Sequence, residues 1–118
     1  MPIIEYDSYK QKLGTIGPRL EKLAAALDLE GARREVDELE EKTGDPNFWN
    51  DVAASQKVLQ RTKQLKNKLE NHARLTSQWE DLTTLVEMAM EEDDASLLPE
   101  VQEGYDKLES ALEEANLA

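Results

Sequence analysis

The chain has 118 residues, of which 39% are hydrophobic and 34% charged, with five Gly, four Pro and no Cys. That length suits one domain with a modest core, and the composition falls with helical bundles and coiled coils rather than sheet sandwiches or disordered chains. The lack of cysteine excludes a disulfide framework and a thiolate zinc site, and a net charge of −12 argues against nonspecific binding of a phosphate backbone by the whole domain.

Uncharged stretches are far shorter than the roughly 20 apolar residues of a membrane span, and the opening MPIIEYDSYK lacks a signal peptide's basic end and apolar run. A soluble, cytoplasmic protein is expected. Charge is unevenly spread: residues 1–55 carry 12 acids and 7 bases, residues 56–79 carry 1 acid and 6 bases, and residues 80–118 carry 13 acids and 1 base.

In chain order, Tyr6, Tyr9, Leu13, Ile16, Leu20, Leu23 and Leu27 recur at alternating spacings of three and four, the stripe of an amphipathic helix. Gly14, Gly17 and Pro18 interrupt it. Proline removes a backbone donor and clashes with the preceding turn, so a kink near Gly17 is expected, or a regular helix over 18–27 preceded by a mobile segment 1–17. Asp28 can cap a second helix over 28–42, whose stripe is Leu29, Ala32, Val36 and Leu39, and which Thr43 and Gly44 end.

A third helix is expected over 50–91. Val58, Leu65, Leu69, His72, Leu75, Trp79, Leu82, Val86 and Ala89 share one face with no Gly or Pro between them, and some 40 residues make a rod of roughly 60 Å. After the acidic turn Glu91 to Asp94, a last helix over 95–116 carries Leu98, Val101, Tyr105, Leu108, Leu112 and Ala115. Asp94 can cap it, and the short connection turns it back on the third helix as an antiparallel hairpin. The expected fold is therefore all-α, an elongated helical bundle with a long coiled-coil-like hairpin and shorter N-terminal helices.

The tract DPNFWND, Asp45 to Asp51, holds the only Phe and one of two Trp residues. Asp45 can cap a single turn starting at Pro46, and Asn50 or Asp51 can cap the long helix. Phe48 and Trp49 are then expected to plug the end of the bundle, with an exposed pair that docks a partner as the rival reading. His72, the single histidine, has no carboxylate partners at helical spacing and reads as a packed or partly exposed stripe residue, not a metal ligand or catalytic base. Lys57, Arg61, Lys63, Lys66, Lys68 and Arg74 scatter around the third helix, with Arg61 and Lys68 beside the apolar stripe and Lys63 and Arg74 pointing away. Pairing with the acidic runs of the other helices is favoured, and contact of Lys63, Lys66 and Arg74 with ribosomal RNA or an acidic protein is the rival. No Gly-rich phosphate loop, nucleophile elbow or metal-ligand spacing is present. Neither enzyme activity nor a cofactor is expected of this chain.

Taken in order, LDLEGARREVDELEEKTGDPNFWND, the rod beginning ASQKVLQRTKQLK, the turn MAMEEDDASLL and the closing helix resemble the amino-terminal helical domain of the bacterial peptide chain release factor 2 family, over about residues 20–118. Asp45, Pro46, Phe48 and Trp49 match the family's Asp-Pro-x-Phe-Trp signature, read here as architectural. The resemblance implies a parent protein that recognises the stop codons UAA and UGA and triggers peptidyl-tRNA hydrolysis. It also implies that this domain lies toward the ribosomal stalk base, with contacts there and to the GTPase that recycles the factor. The family's Gly-Gly-Gln and Ser-Pro-Phe tripeptides do not occur in this sequence, so the chain is expected to be one domain of a longer protein, monomeric by itself. A free-standing helical-hairpin adaptor or homo-oligomeric coiled coil is the alternative.

Overall fold

A computed structural model describes residues 3–117. Four helices make up the described chain: α1 (Ile4–Ala26), α2 (Leu29–Lys42), α3 (Val52–Glu91) and α4 (Leu98–Leu117), with short 3₁₀ turns at Phe48–Asn50 and Ala95–Leu97. No strand occurs among the described residues, as the all-α expectation requires. The chain divides into two compact units, Met1–Leu23 with Arg74–Ala118, and Ala24–Ala73.

In the first unit α1, the C-terminal part of α3 and α4 enclose a core. Its buried side chains are Tyr6, Leu13, Ile16, Leu20 and Leu23 of α1, Leu75, Leu82, Val86 and Ala89 of α3, and Val101, Leu108 and Leu112 of α4. The Tyr6 hydroxyl donates to the Asp94 carbonyl at 2.6 Å, and Trp79 Nε1 donates to the Leu13 carbonyl at 2.8 Å. Together these fix α1 antiparallel to α3. On the α4 side, Tyr9 and Tyr105 meet edge to face with centroids 5.4 Å apart. The Lys12 ammonium lies 5.3 Å and 5.5 Å from those two rings, within cation–π range. Arg19 donates from both terminal guanidinium nitrogens to the two Glu109 carboxylate oxygens, one bond measuring 2.9 Å; such bidentate pairs are among the stronger side-chain contacts.

The expected late start of the first helix is corrected. α1 begins at Ile4 and runs through Gly14, Gly17 and Pro18 without a break, and residues 4–17 are helical rather than a loose leader. Met1 and Pro2 of that expected mobile segment lie outside the described residues. Proline removes one backbone donor, but the helix retains Tyr6, Leu13 and Ile16 in the core, and such burial outweighs one missing bond. Gly17 has a packing role: a Cβ built there would lie 3.1 Å from the Trp79 ring.

In the second unit, Ala32 and Val36 of α2 pack on Leu65 of α3, with Leu39 and Leu69 at the margin. Charge reinforces the contact. Arg61 donates to both carboxylate oxygens of Glu35, at 2.7 and 3.0 Å, and Lys66 lies 3.3 Å from Glu40. Lys68 Nζ donates to the Leu27 carbonyl at 3.3 Å, just past the end of α1, where a cation complements the helix dipole.

Aspartates make the joints. Asp28 has φ 50° and ψ 58°. Its backbone N–H closes the end of α1 on Ala25, at 3.1 Å, while its carboxylate accepts the Gly31 N–H at 3.2 Å to open α2. Gly31 leaves room for that carboxylate, because a Cβ there would lie 2.2 Å from an Asp28 oxygen. α3 ends in a Schellman motif: Asp94 N–H bonds Ala89 C=O at 3.0 Å and Asp93 N–H bonds Met90 C=O at 3.3 Å, with Asp93 at φ 49°. Glycine normally takes that left-handed position. Asp94 then accepts the Ser96 N–H at 2.9 Å and its hydroxyl, leading through the 3₁₀ turn into α4, where Pro99 occupies the first turn.

Two predictions follow from these contacts. Replacing Asp93 with Gly relieves a left-handed aspartate and is expected to stabilise the protein by about 0.5–1 kcal/mol, read from the midpoint of urea unfolding. The second concerns pH. The hydrogen bond from Arg19 holds Glu109 below the usual carboxylate range, and the bonds from Ser96 do the same for Asp94. Burial first, then the charge of Asp94, pushes the Tyr6 phenol up. The two carboxylates bind fewer protons folded than unfolded, so their contribution is complete above the ordinary carboxylate range, near pH 4–5, and lost as pH falls through the depressed values. Tyr6 has the opposite sign: its contribution is complete below about pH 10 and declines as pH rises through the raised value. Urea midpoints should fall at both extremes, with Glu109→Gln flattening the acid arm and Tyr6→Phe the alkaline arm.

Candidate functional site

The DPNFWND tract joins α2 to α3. Thr43, Gly44 and Asp45 donate their N–H groups to Glu40, Glu41 and Lys42 at 3.1, 3.1 and 3.2 Å, so α2 closes with tightened turns. Gly44 is not in the left-handed region. The Asp45 carboxylate accepts the Asn47 N–H at 2.9 Å, and its carbonyl accepts the Phe48 N–H at 3.0 Å. Asn50 bonds Asn47 through its backbone N–H at 3.1 Å and its side-chain amide at 3.2 Å. Asp51 rather than Asn50 then caps α3, its carboxylate accepting the Ala54 N–H at 3.1 Å. Ser55 is buried and bonded to the Val52 carbonyl. Every turn of this connection is therefore closed by a local hydrogen bond.

On this framed turn Trp49 is displayed outward. Phe48 is half-buried, whereas Trp49 is 56% exposed and its neighbour Val52 is 64% exposed. The two rings meet edge to face at 88°, with centroids 4.7 Å apart. This corrects the expected plug: Trp49 does not fill the end of a bundle. Pro46 is exposed as well, and Asp45 serves the turn as the predicted cap. The other tryptophan does the interior work, since Trp79 is half-buried against Gly17 and hydrogen-bonded to α1. Stripe register was the available signal. Trp79 lies in phase with Leu75 and Leu82, and Trp49 belongs to no stripe.

Lys63 and Arg74 have exposed side chains, and Lys66 pairs with Glu40. Lys63 and Lys66 belong to the second unit and Arg74 to the first. The pairs Arg61–Glu35 and Lys66–Glu40 agree with the favoured internal pairing, and sequence reasoning did not foresee that Lys68 would cap α1. His72 is half-buried on α3. Among the described residues there is no group of three or more His, Cys, Asp or Glu side chains placed to hold a metal ion, and no helix is long and apolar enough to cross a membrane.

Fold and site thus define an all-α helical domain whose most distinctive exposed feature is a hydrogen-bonded aromatic turn. A family model described as the PCRF domain matches residues 32–118, and the chain belongs to that family. The resemblance to release factor 2 is borne out by curated relatives. Peptide chain release factor 2 of Staphylococcus saprophyticus is 28% identical over 114 residues, 97% of this chain and 31% of that protein. The protein of the same name from Pseudarthrobacter chlorophenolicus is 34% identical over 92 residues, 78% of this chain and 25% of that protein. That of Streptomyces avermitilis is 31% identical over 104 residues, 88% of this chain and 28% of that protein. The chain spans between a quarter and a third of the length of these relatives.

The two tryptophans should respond unequally to truncation. Trp49→Ala is expected to cost about 1 kcal/mol, mainly the contact with Phe48. Trp79→Ala is expected to cost about 3 kcal/mol, because it opens a cavity and removes a hydrogen bond. Urea unfolding of the two variants beside the parent chain checks the ranking.

Proposed function

We propose that this chain is the amino-terminal helical domain of a class-1 translation release factor of the release factor 2 type. On this reading the parent protein recognises UAA and UGA on the bacterial ribosome and promotes peptidyl-tRNA hydrolysis, and it works in the cytoplasm. The domain contributes positioning near the stalk base and contacts with ribosomal RNA, ribosomal protein and the recycling GTPase, with Lys63, Lys66 and Arg74 as candidate contacts. It supplies no catalytic residue and is monomeric when isolated. The observation that carries this reading is the similarity to proteins named peptide chain release factor 2 over 97% of the chain, combined with the PCRF domain match.

A chimera tests it. The matching segment of the Staphylococcus saprophyticus factor is replaced by this chain, and peptide release is measured on ribosomes stopped at UAA, UGA or UAG. Release at UAA and UGA should be retained. Deleting the segment should raise the factor concentration needed for half-maximal release, with less effect on the maximal rate, as expected when remote binding is lost. A well-folded chimera that releases nothing, or a deletion without effect, would overturn the proposal.

A further inference from the structure

The aromatic turn raises a separate question, because a tryptophan left more than half exposed by a hydrogen-bonded connection is an unusual use of a residue type enriched at the energetic centres of protein interfaces. The turn is already organised. Asp45 and Asp51 bond to Asn47 and Ala54, Asn50 bonds to Asn47, and Phe48 holds the Trp49 ring edge to face. Little ordering entropy would be lost on binding there. Val52, on the first turn of α3, adds an exposed aliphatic side chain beside the aromatic pair in sequence.

Charge narrows the kind of partner. In sequence, residues 38–51 hold five carboxylates, Glu38, Glu40, Glu41, Asp45 and Asp51, against the single base Lys42; Lys66 of α3 pairs with Glu40, which still leaves the stretch net negative. Exposed aromatics on basic ground would suit stacked nucleotide bases, since single-stranded nucleic acid is bound by aromatic platforms set in a positive groove. Here the ground is negative and repels phosphate. An anionic membrane surface is disfavoured for the same reason. Attraction goes instead to a cation, and an indole face is the best aromatic acceptor for a guanidinium or ammonium group.

We infer that the Phe48–Trp49 turn is a docking surface for a cationic segment of a partner protein, which seats an arginine or lysine side chain on Trp49 beside an apolar residue on Val52. The inference rests on the exposure and charge of the turn alone, and it stands or falls separately from the release-factor reading. The probe is a synthetic amphipathic peptide of alternating arginine and leucine, titrated calorimetrically into the chain, with a glutamate-for-arginine peptide and an oligouridylate as counter-probes.

Saturable binding of the arginine peptide alone is expected. Trp49→Ala should weaken it about tenfold, as loss of a central aromatic anchor does. Trp49→Phe should retain most of the affinity, which keeps the test valid if the alanine variant folds poorly. Joint Asp45→Asn and Asp51→Asn substitution preserves a capping oxygen at each position while removing the charge, and it should weaken binding severalfold and flatten its salt dependence. Equal binding by the Trp49→Ala variant, absence of saturable binding, or preference for the oligouridylate would overturn the inference. So would a concentration-dependent dimer abolished by Trp49→Ala in sedimentation, since the turn would then serve a second copy of the chain.

Discussion

The constraint on which the structure depends is that α3 presents an apolar stripe along one helix, and each part of that stripe must be covered. α3 runs from Val52 to Glu91 with no glycine or proline inside. In one unit Ala32 and Val36 of α2 cover Leu65. In the other, α1 and α4 form the core with Leu75, Leu82, Val86 and Ala89. Left uncovered, such a row would forfeit about 25 cal/mol for each Å² of apolar surface. This explains why α1 persists through Pro18. Tyr6, Leu13 and Ile16 are buried on the N-terminal side of the proline, and a helix that began at Pro18 would strand them.

The second economy is in the joints. Carboxylates dominate an acidic chain, and five aspartates, at 28, 45, 51, 93 and 94, form its helix ends. Aspartate suits both roles required, since its side chain accepts an N–H at the start of a helix and its short polar side chain tolerates left-handed backbone better than most. Asp28 combines the two: one residue closes α1 and opens α2. Paired charges then lock what the caps direct, with Arg19 on Glu109 and Arg61 on Glu35. The depressed Glu109 and Glu35 carboxylates follow chiefly from those guanidinium hydrogen bonds.

Much of this was legible in the sequence. The stripes of α2, α3 and α4 and the caps at Asp28, Asp51 and Asp94 need only local spacing, so periodicity and residue type place them. Two features depend on what lies across space, and there local reasoning fell short. Gly17 reads as a helix breaker until it is seen to face the Trp79 ring. Trp49 reads as an anchor because tryptophan is usually buried, yet no element covers it enough to leave it less than 56% exposed. The failures share a cause: glycine and tryptophan both take their meaning from neighbours that are remote in sequence. Conflicts of this kind between local expectation and fold are where functional surfaces tend to lie.

Charge pairing bears on which surfaces remain for recognition. The run from Lys57 to Arg74 looks like a basic patch when read linearly, but Arg61, Lys66 and Lys68 are occupied with Glu35, Glu40 and the Leu27 carbonyl. Those bases act first as supports for α2 and the end of α1, and replacing them would disturb structure together with any external contact. The aromatic turn differs in that its backbone is held by aspartates and asparagines while the Trp49 and Val52 side chains stay exposed. Support and display are thus carried by different residues there. A surface built in that way lets its contacting side chains vary while the turn that presents them keeps its shape.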